Sequence, residues 1–314
     1  MANEIIDYAL TAKTTVRLMP GTTLGLHDLP PRGVALDGCV QGPHSTAMDQ
    51  WSFDHHDNCM RLITLATCEQ VRNVLCLGGL GWFDGRTVFV NDLDGDTLLS
   101  LWLIRRAHQG NANHPDVRTL VRAVGAIDAH GPAGSLLLSP EESRLAMRYY
   151  QHAIKRVTEL RGRVREEFNL WPELLEQSFD GIDHVFDPSP DVSEGARPDP
   201  VIDIHFRASL NSQRVLMGTC EGFGFPAAYD QGYDAAVLFT PAADGSTTYT
   251  IAKRSDLVGI PVGPVSDPQS ILGRLAALEP GWGGGSSIGG SPRLPEGVSS
   301  RLTPEQVWAV VTAS

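Results

Sequence analysis

Hydrophobic residues in the first part of the chain form short runs, and acidic residues or histidines follow these runs. Residues 33–36 form an apolar run that ends at Asp37-Gly38, and residues 50–53 lead into Asp54. Residues 86–90, rich in β-branched side chains, lead into an acidic stretch at 91–96. Such runs between turn residues predict strands. Longer apolar stretches follow them and predict helices at 59–71 and 98–104, with Ile63 on the apolar face of the first; a further strand is predicted at 14–19 and a further helix at 117–124.

A similar alternation returns in the last third of the chain. Strands are predicted at 201–206, 215–218, 235–239 and 247–252, and a helix at 268–278. Between the two parts, Ser139-Pro140 is typical of a helix start, and helices are predicted at 140–168 and 171–178. Four prolines predict a loop at 187–200.

These elements predict an α/β protein with three segments. Residues 1–134 form a first domain with a mostly parallel sheet, residues 135–185 a helical connector, and residues 186–314 a smaller α/β domain. The length of 314 residues also favours two domains.

Composition narrows the function classes. The chain has 37 acidic against 25 basic residues, a net charge of −12, which argues against binding to duplex nucleic acid. Five cysteines, without C-x-x-C spacing, predict reduced thiols, no disulfide framework and no zinc finger. Neither a signal-peptide pattern nor an apolar run of membrane-spanning length is found, so we expect a cytoplasmic protein without membrane association.

The strongest chemical signal is Asp54-His55-His56-Asp57, four consecutive residues that can each bind a cation. The cluster lies where a predicted strand gives way to a predicted helix, which is where open α/β sheets bind ligands. The alternative is a solvated acidic turn with two incidental histidines.

Further acidic residues follow the neighbouring predicted elements. Asp37 follows one strand, although Asp-Gly is also common in simple turns. The other acidic positions are Asp92, Asp94, Asp96 and, at a later boundary together with His130, Asp128. A calcium loop at 92–96 is disfavoured, because the glutamate of that motif is absent. Carboxylates with imidazole suit Mn²⁺, Fe²⁺ or Mg²⁺, and shared carboxylates can hold two ions.

Asp54-His55-His56 resembles the signature of the DHH phosphoesterase superfamily. The stretch 66–71 is similar to the helix that follows this signature, and Asp37 to the isolated aspartate that precedes it. The stretch 91–100 is similar to the family's Asp-x-Asp motif, although here it follows the DHH signature instead of preceding it. Val90 stands where the family often has histidine, which leaves open which two of Asp92, Asp94 and Asp96 are ligands.

The glycine-rich run at 280–293 resembles the substrate loop of the DHH-associated C-terminal domain, with Ser286 in place of its histidine. Lys253-Arg254-Ser255 resembles the basic strand-end motif of the same domain. A flexible linker is the alternative interpretation of the glycine run. With these motifs the resemblance covers most of the chain, from about 34 to 293. It implies that residues 1–134 are a metal-binding catalytic domain and residues 186–314 a domain that binds substrate.

The resemblance implies a metal-dependent hydrolase that acts on a small soluble phosphoester or phosphoanhydride. Two manganese ions are expected, with magnesium, iron or cobalt as alternatives, and a water activated by them would attack phosphorus. His56 would orient the site or help neutralise the leaving or non-bridging oxygens. His130 would support a ligand by a hydrogen bond, with proton donation as the alternative. The implied metal ligands are Asp37, Asp54, His55, Asp92, Asp94, Asp96 and Asp128. The implied substrate contacts are Arg254, Gly283, Gly284, Gly285, Ser286 and Arg293.

Two other functions stay open at this point: a related hydrolase that acts on a non-phosphate small molecule, and a metal-binding regulatory or scaffold protein without turnover. A homodimer is also left open. The resemblance further predicts a geometry. The strand ends that carry Asp37, Asp54, Asp94 and Asp128 should be neighbours at one edge of one sheet, and the glycine run should face them across a cleft.

Overall fold

Short buried runs build the first of two sheets. The structure, a computed structural model, describes residues 5–56, 59–155, 157, 168–187, 200–292 and 299–313. In its first part the strands are β1 (Ile6–Ala9), β2 (Thr15–Leu18), β3 (Val34–Leu36), β4 (His44–Ser45), β5 (Trp51–Phe53) and β6 (Thr87–Val90). Their spatial order is β1-β2-β6-β3-β5-β4, with β2, β6, β3 and β5 mutually parallel and β1 and β4 antiparallel at the edges.

The order of this sheet brings three predicted ligand-bearing strand ends together. β3 pairs in parallel with β5 on one side and with β6 on the other. The residues after these strands therefore emerge at the same edge, because parallel strands point the same way. The predicted adjacency of the strands that lead into Asp37, Asp54 and Asp94 is confirmed.

Five helices accompany this sheet in the described part of the chain. They are α1 (Thr67–Leu77), α2 (Gly95–Arg106), α3 (Pro115–His130), α4 (Pro140–Tyr149) and α5 (Trp171–Val185). The run from Asp96 to Ile104 in α2 is buried throughout, as its apolar sequence predicts. Ser139 caps α4 by accepting a hydrogen bond from the Glu142 amide, also as predicted.

Two predictions for the helical segments of this part are wrong. α1 begins at Thr67 and not near residue 59, since residues 61–63 form a turn and both Met60 and Ile63 are exposed. Asp128 does not follow a strand: it lies in the last turn of α3, which continues through the predicted boundary. Gly125 allows this continuation against α1, because a Cβ there would lie 2.7 Å from a carboxylate oxygen of Glu69.

The predicted helix at 140–168 is present as far as residue 157 is described. α4 is followed by a π-helical turn at Tyr150–Ile154, residues 155 and 157 are again helical, and residues 156 and 158–167 lie outside the described part. α5 extends the predicted helix at 171–178 to Val185. The loop prediction at 187–200 falls largely on residues that are not described.

The second sheet contains β7 (Ile202–Leu210), β8 (Gln213–Cys220), β9 (Ala235–Pro241), β10 (Thr247–Lys253), β11 (Gly283–Gly284) and β12 (Ile288–Gly290). Their spatial order is β11-β12-β10-β9-β8-β7, and only the β8–β9 pair is parallel. The helices here are α6 (Phe225–Asp230), α7 (Ile271–Leu278) and α8 (Pro304–Thr312). The four predicted strands and the predicted helix are all present, whereas α6 and α8 were not predicted.

Two compact units result. One contains Met1–Ala129 with Leu137–Ser189, and the other His130–Leu136 with Pro190–Ser314. The α/β class is confirmed, and both sheets are mixed. The catalytic, connecting and substrate-binding roles of the segments stay predictions. Among the described residues, no helix combines the length and the hydropathy that crossing a membrane requires.

Candidate metal centre

A buried group of acidic residues and one histidine lies at the carboxyl ends of β3 and β5. Asp37 directly follows β3 and His55 follows β5, while Asp96 comes from the first turn of α2 and Asp128 from the last turn of α3. One ligand atom from each of these four residues lies within 4.8 Å of all the others. The fold thus brings together residues that are up to 91 positions apart in the chain (128 − 37).

The ligand atoms of this group lie close together, but no hydrogen bond of normal geometry joins one of the four residues to another. His55 Nε2 lies 2.7 Å from Asp128 Oδ2, 3.4 Å from Asp37 Oδ1 and 3.6 Å from Asp96 Oδ2. Yet both His55 nitrogens and Asp128 Oδ2 are buried without a hydrogen-bond partner among the described residues. Buried polar atoms are nearly always paired, and a cation held by this group would provide the missing partner. Three carboxylates and one imidazole fit a divalent ion that prefers oxygen and nitrogen ligands.

The N-terminus of α1 holds one of these carboxylates in place. Asp96 Oδ2 accepts a hydrogen bond from the Thr67 amide at 2.6 Å, and Oδ1 accepts one from the Cys68 amide at 2.8 Å. Free amides at a helix N-terminus favour a negative charge. The same contacts explain why α1 begins at Thr67 and not within the preceding turns.

Threonine hydroxyls orient the other buried aspartate. Asp37 accepts from Thr67 Oγ1 at 3.2 Å and, on its other oxygen, from Thr97 Oγ1 at 3.4 Å. Asp37 has a φ of +48°, which turns the chain sharply after β3. Groups that orient ligands in this way contribute strongly to metal affinity.

The charges in the group are strongly coupled. Burial opposes ionisation of His55, but the neighbouring Asp128 and Asp37 carboxylates raise its pKa to about 11. Burial and the Asp128 carboxylate raise the pKa of Asp96 to about 7. Although burial would raise the pKa of Asp37, the His55 and His56 imidazoles hold it below its usual range. Several carboxylates around one imidazole repel each other, and a bound cation would relieve that repulsion.

His56 lies on the more open side of the group. Its Nδ1 lies 2.9 Å from Asp54 Oδ1 and 3.5 Å from Asp37 Oδ1, and its side chain is 40 % exposed. Asp37, His55 and His56 form a second possible ligand group that overlaps the first. Burial disfavours the charged form of His56, yet the Asp54 carboxylate raises its pKa.

Asp54 itself does not join either group of converging ligand atoms. Its Oδ2 accepts from the Gly42 amide at 2.6 Å, and its Oδ1 faces His56, so the carboxylate fixes the position of that imidazole. A ligand role for Asp54 stays a prediction. Asp57, the next predicted cation-binding residue, lies outside the described part of the chain.

The remaining acidic candidates take other positions. Asp94 caps α2 by accepting from the Thr97 amide, and burial together with the Asp37 carboxylate raises its pKa well above the usual value. Asp92 accepts from the Leu93 amide. His130 is the last residue of α3. The ligand roles of Asp92 and Asp94 and the catalytic role of His130 stay predictions.

Sequence reasoning did not single out several residues at this centre. Thr67 and Cys68 supply amides to Asp96, Thr97 contacts Asp37, and Arg61 donates to the Asp128 carbonyl at 2.9 Å. The signal for Thr67, Cys68 and Thr97 was that 66–71 and 91–100 resemble family motifs, whereas Arg61 had none. Two tyrosines from the π-helical turn region, Tyr149 and Tyr150, had no signal at all.

The glycine-rich run is a short hairpin in the second unit. Gly283-Gly284 form β11 and pair with Gly289-Gly290 of β12, and the Gly285 amide donates to the Ile288 carbonyl at 2.9 Å. That amide is therefore engaged in the hairpin, and the run is neither a linker nor an open loop. Anion binding by Gly283, Gly284 and Ser286 stays a prediction.

The glycines of this hairpin have a structural explanation. A Cβ at Gly289 would overlap the Leu272 side chain and lie 2.6 Å from the Gly283 carbonyl oxygen, whereas a Cβ at Gly283 would meet nothing within 4 Å. We expect Gly289→Ala to lower the free energy of unfolding by about 1–3 kcal/mol through overpacking, and Gly283→Ala to change it much less. Urea denaturation of the two variants tests this difference, and equal stabilities would contradict the hairpin packing.

Of the two basic candidates for substrate binding, Arg254 lies in the described part of the chain and Arg293 does not. A terminal nitrogen of Arg254 donates to the carbonyls of Tyr229 and Tyr233, so part of its guanidinium supports the chain around α6. Its predicted role in substrate binding is untested by these contacts. Arg293 lies outside the described residues.

Comparisons with known proteins do not assign the chain to a family. No model of a known protein family matches the chain. No curated protein matches it either. The resemblance to the DHH phosphoesterases therefore rests on the quoted motifs alone.

Proposed function

We propose that the protein is a metal-dependent hydrolase that cleaves a phosphoester or phosphoanhydride bond in a small soluble anion, such as a short oligonucleotide or a nucleotide. One observation carries the proposal. Asp37, His55, Asp96 and Asp128 converge within 4.8 Å at the carboxyl edge of a sheet, and their buried atoms include three without hydrogen-bond partners among the described residues. The DHH-like motif is the second support, and manganese is the ion that the resemblance favours.

Each residue of the centre has a distinct task in this proposal. Asp37, His55, Asp96 and Asp128 would hold the ion, and His56 is left to meet the substrate. A bound divalent ion would supply charge stabilisation and lower the pKa of a coordinated water. Asp54 and the threonine hydroxyls hold the side chains in position before substrate arrives, which is how the surroundings of a metal site raise activity.

His56 is suited to contact the substrate. With Nδ1 directed at Asp54, its Nε2 is the nitrogen left to carry a proton towards the reacting group. Although burial opposes it, the Asp54 carboxylate raises the pKa of His56, which favours the protonated ring. A protonated imidazole would stabilise negative charge on a phosphate oxygen during the reaction.

The test is metal content followed by turnover. We expect purified protein loaded with Mn²⁺ to retain the ion through desalting and to hydrolyse a bis-aryl phosphodiester, with activity lost in a chelator and restored by Mn²⁺. Metal retention without hydrolysis of any phosphate ester would contradict the phosphoesterase proposal. Absence of metal binding would contradict the metal centre itself.

A second candidate is a related metal hydrolase with a non-phosphate substrate. The observation that favours it is the engagement of the Gly285 amide and of one Arg254 nitrogen within the second unit. Both groups belong to the set that would hold the distal phosphate in the resemblance. Turnover of carboxylic esters or amides with no turnover of phosphodiesters would select this candidate.

A further inference from the structure

The helical layer of the first unit contains an irregularity close to the metal centre. α4 passes into a π-helical turn at Tyr150–Ile154, and such turns occur often at functional sites. Its neighbour α5 supports this turn. The Ser178 hydroxyl donates to the Ala153 carbonyl at 3.0 Å, and Gly181 leaves room for the His152 carbonyl, which a Cβ would overlap.

The turn directs two consecutive tyrosines at the same glycine. Tyr149 is fully buried, and its hydroxyl donates to the Gly95 carbonyl at 2.5 Å. From the position that a Cβ of Gly95 would take, Tyr150 Cε1 is 3.3 Å away and the Tyr150 hydroxyl oxygen 3.5 Å. Gly95 lies between Asp94 and Asp96 in the chain, so Tyr150 reaches the segment that carries a ligand of the proposed ion.

The two tyrosine hydroxyls differ in what they contact. Whereas the Tyr149 hydroxyl is engaged by the Gly95 carbonyl, that of Tyr150 has no hydrogen-bond partner in the described ranges, and the residue is partly exposed. Burial, followed by the carboxylates of Asp128, Asp94 and Asp96, raises the pKa of Tyr150 well above its usual value. The phenol is therefore a neutral donor that lies within the field of the same carboxylates.

We propose that Tyr150 is a substrate-contacting residue, whose hydroxyl donates a hydrogen bond to an anionic oxygen of the molecule bound at the Asp37–His55–Asp96–Asp128 centre. This inference rests on the proposed function, since it names a contact of the same site. The physical reason is that the carboxylates repel an anionic substrate, so that its outer oxygens need donors. A neutral phenol supplies one without adding a positive charge that would compete with the metal.

The experiment compares Tyr150→Phe with Tyr149→Phe, two adjacent variants that each remove one hydroxyl. Binding of inorganic phosphate to the Mn²⁺-loaded protein is measured by calorimetry, together with metal content, melting temperature and phosphodiester hydrolysis. We expect Tyr150→Phe to weaken phosphate binding about tenfold or more, the loss typical of a hydrogen bond to a charged group. Its metal content and melting temperature should match the unaltered protein.

Tyr149→Phe should give the opposite pattern. It leaves the Gly95 carbonyl without its donor, so the melting temperature should fall while phosphate affinity stays within about twofold. Equal phosphate affinity and equal kcat/KM in Tyr150→Phe and the unaltered protein would overturn the role of Tyr150.

The outcomes also separate this role from the proposed function. If the unaltered protein binds phosphate but hydrolyses no phosphodiester, the hydrolase proposal fails, and a weaker affinity in Tyr150→Phe would still support the contact. If the Mn²⁺-loaded protein does not bind phosphate, the role of Tyr150 is overturned, whereas the hydrolase proposal is still decided by the hydrolysis of the phosphodiester.

Discussion

Replacing His55 by alanine is expected to remove the bound metal and to lower kcat/KM by more than about a hundredfold, since even changes in groups that orient metal ligands have effects of 10–100-fold. His55 is central to the expectation. Its Nε2 lies within 3.6 Å of carboxylate oxygens from three different residues, and both of its nitrogens are buried without hydrogen-bond partners in the described part of the protein. Metal analysis after desalting and phosphodiester kinetics measure the two effects.

A second variant distinguishes loss of metal binding from loss of folding, which His55→Ala could also cause because alanine at this fully buried position leaves a cavity. Asp128→Asn conserves shape at a side chain that is 23 % exposed, and it should also weaken metal retention. Asp116→Asn, an exposed acidic position on the same helix, is the matched control and should change neither metal retention nor kcat/KM. Full metal retention and an unaltered rate in both His55→Ala and Asp128→Asn would remove these residues from the site.

Metal affinity is expected to rise steeply between pH 6 and pH 8. His55 must release a proton before Nε2 can bind a cation, and in the metal-free protein its pKa is about 11. Each pH unit in this range therefore strengthens binding about tenfold through His55 alone. The Asp96 carboxyl, with a pKa of about 7, contributes a further tenfold, mostly below pH 7. Multiplied together, the two effects predict about a thousandfold weaker Mn²⁺ binding at pH 6 than at pH 8.

Competition of Mn²⁺ with a chelator of known pH dependence measures this effect. The variant Asp96→Asn provides the comparison: it should bind Mn²⁺ more weakly at every pH but with a shallower slope below pH 7, because one titrating ligand is gone. Affinity that is the same at pH 6 and pH 8 would show that no proton leaves His55 on binding. The site would then differ from the one described.

The strands were predictable because the hydrophobic residues of each strand are consecutive in the sequence. β3, β5 and β6 each coincide with a short apolar run that ends near an acidic residue, and their parallel neighbourhood follows from the need of the ligands to meet. α2 was predictable for the same reason. The helix at 59–71 was not, because its start depends on the Asp96 carboxylate, which reaches Thr67 and Cys68 from 28 or 29 residues away.

For Asp128, the local sequence pattern predicted the chemical role but not the structural element. The sequence pattern predicted an element boundary at Asp128, yet α3 continues to His130 because Gly125 packs against Glu69 of another helix. The residue still arrives at the centre, but from a helix end and not from a strand end. Its role as a candidate ligand was predicted, but its predicted position at a strand end was wrong.

The sequence by itself determined the class of the fold, the strand ends at Asp37 and His55, and the acidic, oxygen-rich character of the site. These could be predicted because side-chain chemistry and short hydrophobic runs are local properties of the chain. Only the tertiary structure decided which carboxylates converge. It separated Asp96, which faces His55, from Asp54, which holds His56, and it placed Tyr150 beside Gly95. The reason is physical: helix N-termini, the packing of α5 on the π-helical turn and the pairing of β3 with β5 and β6 all depend on contacts between residues far apart in the chain.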